Sequence, residues 1–386
     1  MAKEEKLPFY EFFAGGGMAR LGLRHRWHCT FANDSCTKKA AAYWLNFGEA
    51  PELSVRDIRE VTPGDLPGEP QLVWASFPCQ DLSLAGNGAG LKGERSGTFW
   101  PFWKLMQGLA KENRPARLIV LENVVGAITS NRGHDFRVIL QTLSDAGYRA
   151  GALVIDAIHF VPQSRPRLFI LAVDSRAKVL SSLRTEAPNP FWHPAALRAA
   201  YAELPIGVRK SWEWWHLPLP PAGHLTLSDI IEPNPDAVVW HSAAETKRLL
   251  QMMSQPNREK VEKAKRLRRQ VIGTIYRRTR LNQSGQKVQR AEVRFDQISG
   301  CLRTPVGGSS RQTVLVVEGE TIRSRLLSPR EAARLMGVPD EYKLPQKYNE
   351  AYHLMGDGLV VPVVQWLEQH LLSPLGTVND RALEAA

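Results

Sequence analysis

Residues 9–25 read FYEFFAGGGMARLGLRH, an apolar run that ends in a glycine-rich turn and continues as an amphipathic segment. The run predicts a buried strand over Phe9–Phe13, and the segment Met18–His25 predicts a helix. Glycine lets the backbone turn sharply and approach a ligand, and a helix N-terminus favours negative groups. The turn is no P-loop, because no Gly-Lys-Ser/Thr follows it, and Arg20 stands where a dinucleotide-binding GxGxxG motif has its third glycine.

The same alternation of strand and helix patterns continues to residue 173. Further strands are predicted at Cys29–Ala32, Leu72–Ser76, Leu118–Glu122, Ala152–Ile155 and Leu168–Val173. Further helices are predicted at Thr37–Asn46, Phe99–Lys111 and Asp135–Ala146. This order predicts a doubly wound α/β sheet, which binds ligands beyond the carboxyl ends of its strands.

Length and composition favour one large and one smaller domain in this chain of 386 residues. A hydrophobic content of 43% is ample for a core, and no apolar run of about 18 residues predicts a membrane span. The start MAKEEKLPFY lacks the apolar segment of a secretory signal, and the four cysteines show neither a disulfide framework nor a zinc pattern. We therefore expect a cytoplasmic protein without a bound metal.

Positive charge is concentrated in one stretch of the chain. Of the net charge of +11, a surplus of +10 lies between Arg258 and Arg294, where 13 basic residues face three acidic ones. Such a concentration is typical of a surface that binds a polyanion. For residues 258–269 alone, a solvated basic helix face is an equally good interpretation.

The second half of the chain has a different texture. Residues 181–257 are rich in Pro and Trp, and the tryptophans at 212–215 are expected to form a small core rather than a stacking platform. Thr313–Val317 and Thr321–Arg323 predict a hairpin. Ser328–Met336 predicts a helix capped by Ser328, and Val360–Leu372 predicts a final amphipathic helix.

The candidate nucleophile is Cys79, in the stretch ASFPCQDLS at residues 75–83, which follows the strand at 72–76. A lone cysteine is usually structural. This one stands at a strand end beside the ligand crevice, directly after Pro78, and before a glycine-rich loop at 85–97 that carries Lys92 and Arg95. That placement favours a nucleophile with a loop suited to closing over a bound polymer.

Polar residues at other strand ends complete the candidate site. Glu122, in Glu122-Asn123-Val124, is expected to lie next to Cys79. Arg165 and Arg167 share one face of an extended segment, so both can point into a single site. Asp34 and Asp57 follow the second and third strands, where each is placed either to bind a nucleoside or to cap an ordinary helix.

Taken in order, these motifs resemble the bacterial DNA (cytosine-5) methyltransferases of the restriction-modification type. The matching blocks are Phe13-Ala14-Gly15-Gly16-Gly17, Phe77-Pro78-Cys79-Gln80, Arg95-Ser96-Gly97, Glu122-Asn123-Val124, Gln163-x-Arg165-x-Arg167, the segment from Arg325 to Pro339, and Gly356-Asp357-Gly358-Leu359-Val360. Only residues 181–295 lack a match, and in this family that interval recognises the target sequence. Met18, Ser35 and Asp357 depart from the residues that the family often has at those positions.

The resemblance implies covalent catalysis on a cytosine flipped out of duplex DNA. Cys79 would add to ring carbon 6, Glu122 would hold a proton at nitrogen 3, Arg165 would position the ring and Arg167 would support the site. Asn123 would order the loop around the glutamate, and Gln80 completes the catalytic set. The methyl donor would be S-adenosyl-L-methionine, with S-adenosyl-L-homocysteine as product.

Two binding sets are expected: the cofactor set is what the resemblance implies, whereas the three arginines at 277–280 are assigned to DNA from their residue type alone. The residues expected at the cofactor are Phe13, Gly15, Gly17, Asp34, Asp57 and Pro78. Those expected at DNA are Ser83, Lys92, Arg95, Arg277, Arg278 and Arg280, because arginine paired to guanine is the commonest specific major-groove contact. No metal ligand is expected.

The expected fold is a Rossmann-like S-adenosylmethionine-dependent methyltransferase α/β sheet with a smaller, irregular, mostly-β target-recognition domain. Residues 1–180 with 345–373 would form the catalytic domain, 181–344 the recognition domain and 374–386 a flexible tail. We expect a monomer that acts on nucleoid DNA, with a companion restriction endonuclease as functional partner and no membrane partner.

Two alternatives remain open. One keeps the chemistry and changes the substrate to tRNA, as in one branch of the family, although about 115 residues at 181–295 with a basic segment suit duplex DNA better. The other is a catalytically inactive relative that serves as a DNA-binding subunit.

Overall fold

The computed structural model describes residues 6–78, 98–221, 223, 225–282, 284–304 and 311–377. Strands β1 to β7 span Leu7–Phe12, Trp27–Asn33, Leu53–Ser54, Leu72–Ala75, Leu118–Val124, Tyr148–Asp156 and Pro166–Asp174. Strands β8 to β13 span Arg184–Thr185, Trp214–Trp215, Val271–Leu281, Lys287–Arg294, Thr313–Glu318 and Thr321–Leu326.

Helices α1 to α7 span Met18–Gly22, Thr37–Phe47, Phe99–Lys111, His134–Asp145, Ala195–Ala202, Ile206–Lys210 and Leu227–Ile230. Helices α8 to α13 span Ala243–Gln251, Gln255–Arg266, Pro329–Leu335, Tyr348–Asp357, Val361–Leu367 and Ser373–Thr377, with a π-helical turn at Glu368–Leu372 before α13. Among these helices, none is both long and apolar enough to cross a membrane.

The chain folds into two compact units. The first comprises Met1–Asp156, Pro166–Pro220 and Val361–Ala386, and the second comprises Ala157–Arg165 and Pro221–Val360. These limits differ from the expected domains, because residues 181–220 belong to the first unit and 345–360 to the second.

The first unit is built on a seven-stranded sheet in the order β3-β2-β1-β4-β5-β7-β6. Strands β1 to β5 run parallel, while β7 runs antiparallel to both β5 and β6. Each predicted strand and helix up to residue 173 is present, with ends that shift by a few residues. The order reverses between β1 and β4, and ligands bind outside the carboxyl ends of strands at such a switch point. The turn after β1 and the segment that leads to Cys79 both begin at this edge.

The tryptophans of the 181–220 segment explain why it belongs with the sheet. Trp212 and Trp214 are buried in the same apolar cluster as strand and helix residues of the first unit. The indole of Trp215 donates to the carbonyl of Leu171 in β7 at 3.2 Å. The tryptophans are therefore core residues, as expected, but they extend the core of the sheet unit rather than form that of a recognition domain.

The C-terminal helix continues further than expected. The tail was expected to begin at 374, yet α13 continues to Thr377. Leu375 is buried, and its carbonyl accepts a hydrogen bond from Arg117 Nε at 3.0 Å. These contacts hold the last turn against the sheet unit.

The second unit contains a four-stranded antiparallel sheet in the order β11-β10-β12-β13. Helices α8 and α9 cover one face, where Leu249, Met253, Val261 and Ala264 pack on Ile275 and its neighbours. The predicted hairpin is β12–β13. The predicted helix cap is also confirmed, since the side chain of Ser328 accepts from the backbone N–H of Glu331 at 3.1 Å.

Candidate active site

The glycine-rich turn after β1 adopts a conformation that depends on glycine. Gly15 and Gly17 have φ of 56° and 75°, and Phe13 between β1 and the turn also has a positive φ, of 60°. A Cβ on Gly17 would lie 2.3 Å from the ring of Phe47, whereas a Cβ on Gly15 would meet no described residue closer than 4.0 Å. Gly17 is therefore required for packing against α2, and the part of the chain that the structure describes leaves space beside Gly15.

Asp34 joins the turns after β1 and β2. Its two carboxylate oxygens accept from the backbone N–H groups of Gly15 and Cys36, each at 2.8 Å. The side chain is buried, directly after the last residue of β2. Asp34 thus fixes the glycine turn at the switch point, where the sequence places the cofactor.

Asp57 has a local partner of its own. It follows β3 by three residues and caps a short 3₁₀ turn, with its carboxylate accepting from the backbone and guanidinium of Arg59 at 2.8–2.9 Å. The hydrogen bonds from Arg59 lower the pKa of the Asp57 carboxyl. These contacts are those of the helix cap that the sequence left open as the alternative.

Glu11 is a residue that the sequence analysis did not single out. Its carboxylate lies within β1, fully buried, where Oε1 accepts from the backbone N–H of Arg20 at 3.3 Å and Oε2 has no hydrogen-bond partner among the described residues. Burial raises the pKa of Glu11 to about 8. A carboxylate inside the apolar run FYEFF was the available signal, because isolated charges in buried strands are rare.

The end of β5 is tied to the segment that leads into Cys79. The side-chain amide of Asn123 donates to the carbonyl of Phe77 at 3.1 Å, and both groups are buried. Its oxygen accepts from the backbone N–H of Val124 at 2.9 Å. Asn123 therefore positions the main chain just before Pro78.

Glu122 and Arg167 form an ion pair on adjacent strands. Arg167 pairs directly with Val124 across β5 and β7, so Glu122, two residues earlier, is its diagonal neighbour on the same face. Arg167 Nε lies 3.4 Å from Glu122 Oε1, and the two side chains are only 18% and 12% exposed. The antiparallel register of β7 thus brings a cation to the carboxylate that the sequence assigned to catalysis.

Arg165 belongs to the second unit and has main-chain partners there. Its Nη1 donates to the carbonyl of Leu302 at 2.8 Å, and its Nη2 donates to the carbonyls of Gly356 and Gly358 at 2.9 Å. Gln163, also fully buried, binds the N–H of Leu302 and the carbonyl of Leu335. Both side chains therefore connect distant segments of the second unit.

The remaining expected site residues fall into two groups. Cys79, Gln80, Ser83, Lys92 and Arg95 lie outside the described residues. Arg277, Arg278 and Arg280 all lie on β10, but strand alternation places Arg277 on the opposite face from the other two. Ser35 is exposed, and Asp357 accepts from the hydroxyl of Thr304.

Comparison with known proteins gives consistent similarities. A family model described as C-5 cytosine-specific DNA methylase matches residues 7–373. The chain is 25% identical over 371 residues to Type II methyltransferase M.HhaI of Haemophilus parahaemolyticus, covering 96% of this chain and 95% of that protein. It is 28% identical over 364 residues to Type II methyltransferase M.BsuFI of Bacillus subtilis, covering 93% and 71%.

Two solved structures share the fold. The Dnmt2 methyltransferase of S. pombe aligns with a TM-score of 0.57 and 18% identity, covering 96% of this chain and 99% of that one. The Entamoeba histolytica methyltransferase EhMeth aligns with a TM-score of 0.62 and 14% identity, with the same coverage.

Proposed function

Because this chain belongs to the C-5 cytosine-specific DNA methylase family, we propose that it transfers a methyl group to carbon 5 of a cytosine in duplex DNA. The ion pair between Glu122 and Arg167, beside the strand end that leads to Cys79, is the observation that carries the proposal. Membership of a methylase family implies a methyl donor, and the turn after β1 supports its identity.

The turn fits S-adenosyl-L-methionine. Gly15 offers open space beside a backbone fixed by Asp34, at the switch point of the sheet where nucleoside ligands bind. Phe13, Gly15, Gly17 and Pro78 would surround the methionine part, and Asp34 would meet the ribose. When bound, this donor supplies an electrophilic methyl group on sulfur and leaves as S-adenosyl-L-homocysteine.

Asp57 has a narrower role in this proposal. Its carboxylate is held by Arg59, and its side chain is 36% exposed. If Asp57 accepts a hydrogen bond from the adenine amino group, its carboxylate would bind Arg59 at the same time.

Cys79 would act as the covalent nucleophile. Carbon 5 of cytosine is a weak nucleophile, and addition of the thiolate to carbon 6 converts the ring to an enamine that reacts at carbon 5. After carbon 5 gains the methyl group, loss of its proton and departure of the thiolate restore the ring. The cytosine must leave the duplex stack for this attack, at a cost of a few kcal/mol.

Glu122 would hold the proton at ring nitrogen 3, so that negative charge does not accumulate on the ring as sulfur adds. Arg167, 3.4 Å from Glu122, would fix the carboxylate and contribute positive charge beside the ring. These contacts support an exchange of the roles first assigned to the two arginines. Arg167 would serve the ring, and Arg165, with its three main-chain carbonyls, would serve the architecture of its unit.

The wider setting follows from the type of relative. A Type II methyltransferase of this kind would work as a monomer in the cytoplasm, on nucleoid DNA, with a restriction endonuclease as its functional partner. The loop that carries Gln80, Ser83, Lys92 and Arg95 would contact the DNA around the flipped base.

Methyl transfer from radiolabelled S-adenosylmethionine to duplex DNA and to tRNA, measured side by side, tests the proposal. We expect incorporation into duplex DNA, with 5-methylcytosine at one short sequence after bisulfite sequencing. Incorporation into tRNA alone would replace the proposed substrate. Incorporation into neither, with tight binding of duplex DNA, would favour the inactive DNA-binding subunit.

A further inference from the structure

Strands β10 and β11 extend beyond the sheet of the second unit as a two-stranded ribbon. Strand β12 pairs with β10 only from Val271 to Ile275, whereas β11 pairs with β10 as far as Leu281 and Lys287. Among the described strands, residues 276–281 and 287–292 therefore pair only with each other, apart from an isolated bridge between Ala291 and Met253. We call residues 276–282 and 284–292 the ribbon.

Hydrogen bonds to one side chain join the described residues at the tip of the ribbon. Asn282 Oδ1 accepts from the backbone N–H groups of Ser284 and Gln286 at 3.0 and 2.8 Å. Gly285 has a φ of 74°, which glycine adopts without strain. The ribbon also carries five basic residues and one acidic residue, Glu292. A two-stranded antiparallel ribbon fits the major groove of B-DNA, which is about 12 Å wide.

One face of the ribbon, here called the open face, presents Arg278 and Arg280, which are both exposed. Ile275, Ala291 and Val293 alternate toward the core under α8 and α9, and Arg277 belongs to the same face. The opposite face carries Tyr276, Arg278, Arg280, Arg290 and Glu292. It opens at its base into a cavity of about 450 Å³ whose lining includes four cations and a single carboxylate, namely Lys260, Arg278, Arg294, Arg303 and Glu292. The cations of this cavity add to those of the ribbon and suit the open face to a polyanion.

The Glu292 carboxylate forms ion pairs with both exposed arginines of this face, Arg278 and Arg280. Arg280 Nη2 lies 2.6 Å from its Oε1, and Arg278 Nε lies 3.4 Å from its Oε2. The arginines are about half exposed, at 46% and 51% of their side chains. Ion pairs with this degree of exposure are weak. A stronger hydrogen-bond acceptor on a bound ligand can therefore displace the Glu292 carboxylate from the arginines.

We propose that the open face of the ribbon reads a G·C base pair of the target in the major groove, with Glu292 as the residue that makes the reading selective. The inference rests on the proposed function. Arginine donates two hydrogen bonds to guanine O6 and N7, and glutamate accepts from the amino group of the paired cytosine. At any other DNA sequence, the Glu292 carboxylate remains paired with Arg278 and Arg280, and its negative charge repels the DNA phosphates.

Two variants separate this role from a general effect of charge. Glu292→Gln removes one negative charge and frees both arginines. Asp296→Asn removes one negative charge from the pair with Arg294, where the side chains lie 2.5 Å apart, outside the ribbon. Both variants should bind non-target duplex more tightly, with a salt slope steeper by about one unit. Only Glu292→Gln should lose base preference.

The decisive experiment uses the full chain and a duplex pool with a randomised segment, sequenced after methylation and bisulfite treatment. We expect Arg280→Gln and Glu292→Gln to relax the preference at one G·C position by roughly 10- to 100-fold. Asp296→Asn should keep the wild-type preference. Unchanged thermal midpoints show that the variants are folded.

Wild-type preference in Glu292→Gln, or equal relaxation in Asp296→Asn, would overturn the assignment of Glu292. Unchanged preference in Arg280→Gln would overturn the ribbon as the reading element. If the wild-type chain methylates no duplex in the pool, the proposed function fails instead.

Discussion

The side-chain amide of Asn123 donates a hydrogen bond to the carbonyl of Phe77 across 3.1 Å of buried space. This bond joins the ends of two neighbouring parallel strands, β4 and β5, of which one leads into Pro78-Cys79 and the other carries Glu122. The main chain that leads toward the proposed nucleophile and the strand that carries the proposed proton donor are therefore joined by one hydrogen bond. We therefore propose that Asn123 is a positioning residue.

Replacing Asn123 with Ala should reduce stability and the rate of covalent addition together. The buried carbonyl of Phe77 would lose its partner, which costs about 1–3 kcal/mol of unfolding free energy. We expect the KM for S-adenosylmethionine to change little and kcat to fall at least about tenfold, because misplaced reacting groups slow the chemical step. Asn46→Ala serves as control, since Asn46 also donates to a main-chain carbonyl, that of Ala42 at 2.8 Å. Equal kcat values in the two variants would contradict the role.

Arg167 and Arg165 should differ in what their loss affects. Arg167→Gln should lower kcat by roughly 10²–10³, as removal of a charge-stabilising donor does. Arg165→Gln should instead lower the unfolding free energy by about 3 kcal/mol or more, because three main-chain carbonyls lose a charged donor. Urea unfolding and single-turnover kinetics of both variants measure this division. The reverse pattern would restore the roles first inferred from the sequence.

The glycine turn gives a matched pair of substitutions. Gly15→Ala strains only the backbone, at about 1–2 kcal/mol for a left-handed φ. Gly17→Ala adds a contact of 2.3 Å with the Phe47 ring, so it should cost distinctly more and weaken cofactor binding through displacement of α2. Urea unfolding and calorimetric titration with S-adenosylmethionine make the comparison. Indistinguishable losses would show that the turn does not require the packing of Gly17.

The buried carboxyl of Glu11 should make stability depend on pH. Its pKa is raised to about 8 in the folded chain, whereas the unfolded chain ionises near 4.5. The folded state therefore binds the extra proton between these values, and the stability due to this group is lost as pH rises from about 4.5 to 8. Glu11→Gln should remove a loss on the order of a few kcal/mol over that range.

Thermal unfolding between pH 5 and 8 tests the role of Glu11. Exposed Glu49, replaced by Gln, is the control, and it should follow the wild-type curve. A parallel curve for Glu11→Gln would mean that Glu11 is already ionised in the folded protein.

Much of the fold could be predicted from the sequence, because strand and helix periodicities in the first 173 residues agree with local turn chemistry. The antiparallel insertion of β7 between β5 and β6 could not, since it depends on which strands pair. That pairing is what makes Arg167 the neighbour of Glu122. From the sequence alone, both arginines were expected on one face, and their different partners could not be predicted.

The compact units divide the chain elsewhere than at the expected boundary of residue 181, for a similar reason. A region rich in Pro and Trp shows no regular spacing of apolar residues. Its sequence therefore does not reveal which unit's core contains the tryptophans. Likewise, three arginines in one short stretch suggested base reading, but only the register of β10 and β11 shows which of them share the open face with Glu292.

The central claim is that Cys79 bonds covalently to the target cytosine, and intact-protein mass spectrometry tests it directly. Duplex DNA that contains 5-fluorocytosine is incubated with S-adenosylmethionine and the full chain, in a preparation that methylates the unsubstituted duplex. Fluorine at carbon 5 cannot leave as a proton does, so the adduct should persist and map to Cys79. It should be absent from Cys79→Ser and present in Cys301→Ser. No adduct from the active wild-type protein, or an adduct on a different cysteine, would contradict the account.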